Sequence, residues 1–409
     1  MLSVEEALLR ILQVLQPLPA EAAGLNHCLG RILARDLFAK LNLPPFANSS
    51  MDGYALRAAD LDGASPGNPV QLAVVMDIPA GTSPELSIGP GEAARIMTGA
   101  PLPEGADAVV PVEQTDAKWN REEPATLSPF LRVATTLKPG DYVRPVGENV
   151  RSGQQVLTAG TRLRPQHLGM LAALGQAQVD VHRQPRVAIV SSGDEIIDVG
   201  EPPAPGQIFD VNSYTIAGLV SELGGIPLRQ PVAGDDLQQV RAMFDTALGQ
   251  DPDLIISTAG VSVGAHDLVR DVLDELGELN FWRVNMRPGK PLAWGRVQGL
   301  PFFGLPGNPV SAMVTFEVFV RPALQRLTGA VQDSQTICAT VCEDIQSDGR
   351  RSFLRVTLEN SNGRLLARST GTQSSGALMS MLLADGLLIV PEGVTHVAAG
   401  SELEVRLLQ

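Results

Sequence analysis

Between about residues 183 and 329, short apolar runs alternate with stretches whose apolar residues recur at helical spacing, and this alternation constrains the fold more than any other feature. "RVAIV" leads to the helical pattern of "SYTIAGLVSELGG". "DLQQVRAMFDTAL" precedes "PDLIISTAG", "DLVRDVLDELG" follows it, and "FFGLPGNPVSAMVTFEVF" runs a strand into an amphipathic helix expected from Pro309. Such an order predicts a mostly parallel sheet wrapped by helices through right-handed crossovers. Strand ends in that architecture share one edge, so the turns that follow them face a common crevice.

The flanking segments differ. Helical spacing is expected from Leu2 to about Leu15 and again near "GRILARDLFA", and "DYVRPVGENVRSGQQVLTAGTRLRPQHLGMLAALG" turns helical from about Pro165. From 46 to 140, short apolar runs such as "VQLAVVM" and "ADAVVPVEQT" are punctuated by Gly and Pro and read as a small β-rich domain. After Gly329, "ICATVCED", "SFLRVTLE", "GRLLARS", "GLLIVPEG" and "SELEVRLLQ" predict a compact barrel or sandwich. The expected organisation is therefore multidomain α/β plus β. Residues 1–45 with 141–182 form a connector of helices and extended segments, 46–140 the small β-rich domain, 183–329 the α/β domain and 330–409 a C-terminal β-barrel. A length of 409 residues exceeds what one core supports.

Composition narrows the function. A net charge of −14 argues against a nucleic-acid groove, which needs a basic face. "MLSVEEALLRILQVL" carries acids where a signal peptide would carry lysines, and no apolar run approaches the roughly 18 to 20 residues of a membrane span, so a cytoplasmic chain without nucleic-acid or membrane partners is expected. Cys28, Cys338 and Cys342 form no C-x-x-C pair; Cys338 and Cys342 share one face of "TICATVC" and read as buried strand residues. No P-loop, dinucleotide or zinc-protease motif occurs.

Five polar turns collect at the expected crevice: "SSGDE" (191–195), "AGDD" (233–236), "TAGVSVGAHD" (258–267), "RPGKP" (287–291) and "LPGNP" (305–309). Gly260, Gly264 and the backbone near Pro306 can cradle phosphate, with Arg287 and Lys290 adding positive charge. Asp194, Glu195, Asp235, Asp236 and Asp267 can hold a hard cation such as Mg²⁺. Each acid also has a plainer reading. Asp235 or Asp236, like Asp267, suits a helix N-cap, Glu195 a solvated first-turn position and Asp52 an Asx turn.

The long motifs "PPFANSSMDGYA", "RIMTGAPLPEGADAVVPVEQ", "GENVRSGQ", "SSGDE", "GQIFDVNSY", "TAGVSVGAHD", "MRPGKPLAWG" and "GLPGNPVSA" together resemble the molybdopterin molybdotransferases, a family that includes the C-terminal region of gephyrin. The resemblance runs nearly end to end. It implies a homodimer whose 183–329 domain binds molybdopterin, and an enzyme that joins molybdate to adenylylated molybdopterin with release of AMP, assisted by Mg²⁺. It further implies contact with the protein that adenylylates molybdopterin and with molybdoenzyme acceptors. The implied catalytic residues are Asp52, Thr98, Glu195, Asp235 and Lys290, and the implied metal ligands Glu195, Asp235 and Asp267. Substrate contacts are expected from Ser192, Gly193, Gly260, Ser262, Gly264, Arg287, Pro306, Gly307, Asn308, Ser311, Arg355 and Ser375, with Arg287, Lys290 and Arg355 drawing molybdate. Many relatives carry Lys where this chain has Arg287, which exchanges a compact ammonium for a planar fork. A receptor-clustering scaffold and a nucleotide hydrolase on a borrowed pterin-binding fold are the competing readings.

Overall fold

The computed structural model describes residues 1–119, 127–200, 202–258, 268–331 and 336–408, and these form two compact units. The smaller comprises Arg35–Ala159 and Pro165–Ala177. Its centre is a five-stranded sheet of β1 (Gly53–Leu56), β2 (Val70–Ile78), β3 (Glu92–Ile96), β4 (Ala108–Pro111) and β5 (Phe130–Val133), in the order β4-β1-β3-β2-β5. Apolar side chains fill both faces: Leu56, Leu72, Ala93 and Val110 lie in one cluster, and Ala55, Ile78, Ala94 and Val109 in the other. Gly53 sits where β1 runs closest to β4. A Cβ there would lie 1.9 Å from the Val110 carbonyl oxygen, so the glycine of "MDGYA" is demanded by strand packing.

The larger unit holds Met1–Ala34, Gly160–Arg164 and Gln178–Gln409. Six strands make its central sheet: β6 (Arg186–Val190), β7 (Ile226–Arg229), β8 (Leu254–Ser257), β9 (Gly277–Arg283), β10 (Pro291–Val297) and β11 (Leu300–Gly304). Their order is β7-β6-β8-β11-β10-β9; the first four run parallel, and β10 and β9 complete the sheet antiparallel. Alternate residues point to opposite faces. Val187, Ile189, Leu254, Ile256 and Phe303 face one layer, and Ala188, Val190, Ile255 and Phe302 face the other, so residues 187–190 and 254–256 are apolar throughout because both sides are covered.

Helix α1 (Val4–Gln13), α2 (Val211–Glu222) and the helical run beginning with α5 (Pro309–Thr315) cover the first face, while α3 (Leu237–Leu248) and α4 (Leu268–Leu276) lie on the second. Caps fix where several of these helices begin. Ser3 accepts from the Glu6 N–H, Asp210 from the Ser213 N–H, and Asp236 from the N–H groups of Gln238 and Gln239.

The C-terminal strands β12 (Thr336–Val341), β13 (Arg351–Ser361), β14 (Arg364–Ser369), β15 (Gly386–Val390) and β16 (Glu402–Leu407) pair as β13-β14-β12-β16-β15, and β15 returns to β13. This closes the expected barrel. Phe353, Leu387 and Ile389 carry its wall into the same core as the central sheet.

Three local expectations fail. "GRILARDLFA" is extended rather than helical, because Ile32 and Leu33 bridge to Arg162 and Val181, and distant backbone partners replace the i to i+4 bonds that a helix would supply. Cys338 is exposed and Cys342 half-buried, since Ala339 and Val341, on the opposite parity, fill the barrel. The helix from Pro309 is not amphipathic: every residue from Phe316 to Val320 is buried, with a π turn at that point and Glu317 paired to Arg321 at 2.6 Å.

Gly53→Ala is expected to destabilise the protein by about 2–4 kcal/mol, because the added methyl must displace the backbone of β4. Chemical denaturation of the purified variant against wild type measures it.

Candidate active site

Backbone register places four of the five polar turns, and Thr258 at the start of the fifth, at one end of the central sheet. Val190 pairs with Ser257, Ser257 with Gly304 and Ile189 with Arg229, so the chain leaves β6, β7, β8 and β11 on the same side. β10 runs the other way. Its Ala293 pairs with Gly304 and its Pro291 with Arg283, which brings the 284–290 link to that edge as well. Gly260, Ser262, Gly264 and Asp267 lie outside the described residues.

A cavity of about 750 Å³ opens at this edge, lined among others by Ser192, Glu195, Asn212, Thr258, Gly307 and Asn308. The Asn212 side-chain amide donates to the Gly307 carbonyl at 2.7 Å, tying the start of α2 to the "LPGNP" turn. Ser191 and Thr258 hydroxyls meet at 2.7 Å across the ends of β6 and β8. Gly193, with φ of 143°, turns the chain so tightly that a Cβ would come 2.6 Å from Glu195 Oε2. Glu195 itself is exposed and its carboxylate has no hydrogen-bond partner among the described residues. At Gly307 a Cβ would meet only the Thr258 carbonyl, at 3.9 Å; the protein leaves space beside this backbone. Pro306 is buried just behind it. Ser311 lies inside α5, 5% exposed, and does not line the cavity.

The two neighbouring acids separate cleanly. Asp236 spends its carboxylate on the cap of α3, whereas exposed Asp235 is held by backbone, its N–H donating to Asp194 Oδ1 at 2.9 Å. Asp235 Oδ2 accepts a long bond, 3.5 Å, from the Asp194 N–H, and its Oδ1 makes no bond among the described residues. Among the described residues no three His, Cys, Asp or Glu side chains converge on a metal-sized centre. Glu195 and Asp235 are exposed oxygen donors of the type Mg²⁺ takes, one or two at a time with water and phosphate completing its shell, and they do not form a closed protein cage.

A second cavity, of about 260 Å³, lies against the barrel and is lined by Arg287, Arg355, Ser369 and Gln373 among others. Arg355 is 1% exposed and, although Glu343 and Asp344 line the same cavity, makes no ion pair among the described residues. Its Nε donates to Ser380 Oγ at 3.1 Å and one Nη to the Ser374 carbonyl at 3.1 Å. Burial, and then the nearby Arg287 charge, pull its pKa down to about 10, which leaves it a cation at neutral pH. Arg287 stands 3.6 Å from Asp348, whose carboxyl is held below its usual range chiefly by a hydrogen bond from Arg350. A buried cation without a counter-charge is costly, and an anion relieves that cost. Ser375 adjoins the loop around Arg355; its carbonyl accepts from the Val310 N–H at 3.1 Å, and its hydroxyl makes no bond among the described residues. Lys290 is exposed and lines neither cavity; its carbonyl accepts from Val284.

In the smaller unit Asp52 and Thr98 meet directly. Asp52 Oδ1 accepts from both the backbone N–H and the hydroxyl of Thr98, each at 2.7 Å. The carboxylate thus anchors the loop after β3, while its other oxygen stays free and exposed. Residues that sequence reasoning passed over are Phe209, Asp210, Asn212 and Thr258. The pattern Asp210-x-x-Ser213 ahead of a helical run is a capping signal that would have marked the first of that wall.

Residues 2–175 match the MoeA N-terminal region (domain I and II), residues 188–326 a probable molybdopterin binding domain, and residues 339–408 the MoeA C-terminal region (domain IV). The molybdopterin molybdenumtransferase 2 of Mycobacterium tuberculosis H37Rv is 40% identical over 413 residues, 99% of each chain. The molybdopterin molybdenumtransferase of Nostoc sp. is 37% identical, over 92% of this chain and 86% of that one. A crystal structure of a molybdopterin biosynthesis MoeA protein from Pyrococcus horikoshii superposes with a TM-score of 0.82 at 29% identity, covering 100% of both chains. With such identity along its whole length, this chain belongs to the molybdopterin molybdenumtransferase family.

Proposed function

We propose that this protein is a transferase of molybdenum cofactor biosynthesis that inserts molybdenum from molybdate into adenylylated molybdopterin and releases AMP. The observations that carry this reading are a cavity at the strand ends whose lining includes Ser192, Glu195, Thr258 and Asn308, and a separate cavity against the barrel lined by Arg287 and by the buried Arg355, which makes no ion pair among the described residues. Molybdate is a dianion and the pterin substrate a polyanion, so their approach is opposed by Coulomb repulsion that local cations must offset. Arg355 and Arg287 receive molybdate, and exposed Lys290 adds positive potential at the same edge.

Glu195 and Asp235, with Asp267, would hold Mg²⁺. Bound there, the ion supplies neutralisation of the charge that develops on the leaving phosphate. Gly307 and Asn308 give the substrate a close backbone approach, and Ser192 a hydroxyl donor. The anhydride end of the substrate lies by Glu195. Ser375 offers an uncommitted hydroxyl beside the Arg355 loop. The Asp52–Thr98 pair and a homodimeric assembly belong to the same proposal, as the resemblance implies them.

Incubating the purified protein with adenylylated molybdopterin, molybdate and Mg²⁺ should release AMP in a molybdate-dependent way; absence of AMP would rule the transferase out. Asp235→Ala should lower AMP release at least tenfold with little change in melting temperature. Asp236→Ala should do the reverse, costing about 1 kcal/mol of stability through the lost cap. Gly307→Val should fold normally, having room for its side chain, yet fail to bind the adenylylated substrate in equilibrium dialysis.

A further inference from the structure

One wall of the larger cavity is chemically unlike the rest. Phe209, 39% exposed, and Asp210, 4% exposed, both line it. Their position is held by backbone: Ile208 and Phe209 pair with Ile196 and Ile197, and the Asp210 N–H donates to the Ile197 carbonyl at 2.8 Å. Asp210 Oδ1 caps α2 through the Ser213 N–H at 2.9 Å. Oδ2 is buried and has no hydrogen-bond partner among the described residues. An unpaired buried carboxylate oxygen carries a large desolvation cost, which the exposed Asp194, Glu195 and Asp235 do not share.

We propose that Asp210 Oδ2 reads the donor edge of the substrate's 2-amino-4-oxo pyrimidine ring while Phe209 packs on the ring face. The assignment rests on the transferase reading above and deepens it. A carboxylate accepts hydrogen bonds and cannot donate, so the group it meets must present N–H and not phosphate oxygens. The pterin edge presents two such donors side by side, at N3 and the 2-amino group. Adenine presents its amino group beside the N1 acceptor, which a carboxylate repels. Polarity along the cavity follows: the neutral heterocycle lies at the Phe209–Asp210 wall and the charged anhydride at Glu195. The Asp Cβ–Cγ torsion is soft, so a small turn brings Oδ2 to an incoming donor without loss of the cap.

The test compares 6-hydroxymethylpterin with 6-hydroxymethyllumazine, in which a carbonyl acceptor replaces the 2-amino donor, by quenching of ligand fluorescence. Wild type should prefer the pterin by about tenfold or more, the size of one hydrogen bond to a charged group. Asp210→Asn keeps a capping oxygen but places an amide donor at the reading position, and should bind the lumazine at least as well as the pterin. Phe209→Ala should weaken both ligands and preserve the order. Equal wild-type affinities, no measurable binding of either ligand, or an unchanged preference in Asp210→Asn would overturn the proposal. The AMP assay run on the same wild-type preparation keeps the two readings apart: AMP release without a pterin preference removes the Asp210 assignment alone.

Discussion

The site depends on the hydrogen-bonded register of four parallel strands covered on both faces. Parallel pairing forces each connection to travel back across a face of the sheet as a helix, so β6, β7, β8 and β11 all end together and their polar turns have one place to go. The antiparallel return through β10 adds the Arg287–Lys290 link to the same edge. No single turn there is a binding motif by itself. Their chemistry comes from being gathered by a core made of Val, Ile, Leu and Phe, whose burial on the two sides holds the strands in register.

Charge supplies the second organising constraint. The chain is acidic overall, at −14, yet among the described residues the buried Arg355 side chain donates only to carbonyl and hydroxyl oxygens. Carbonyl oxygens orient a guanidinium without cancelling its charge, so the positive potential remains for a ligand. A carboxylate partner in that position would have made Arg355 a structural ion pair, as Glu317 does for Arg321. The half-buried Arg321 is neutralised, whereas the fully buried Arg355 makes no ion pair among the described residues.

Much of this was legible in sequence because it follows from periodicity: the strands and helices of 183–329 and the closed C-terminal barrel come from period-2 and period-3.6 patterns. What escaped depends on partners far along the chain. "GRILARDLFA" has helical spacing but pairs with residues 162 and 181, and the barrel face of "TICATVC" is set by which parity meets Val405 and Ala367 inside. Asp235 and Asp236 look alike in sequence, and only the φ and ψ at the start of α3 decide which one caps it. Ser311 was expected at the ligand because it follows the turn, but two residues of helical rotation past Pro309 turn it into the core. The orphaned Oδ2 of Asp210 could not be read from sequence at all, since it is defined by what fails to reach it.

Barrel closure has an outcome of its own. Because β15 pairs back onto β13, the wall around Arg355 offers no open seam of unpaired N–H and C=O groups onto which another polypeptide could add a strand. Any polypeptide that docks on this part of the molecule must therefore recognise it by side chains and loops, and can come and go without unzipping the enclosure around the Arg355 guanidinium.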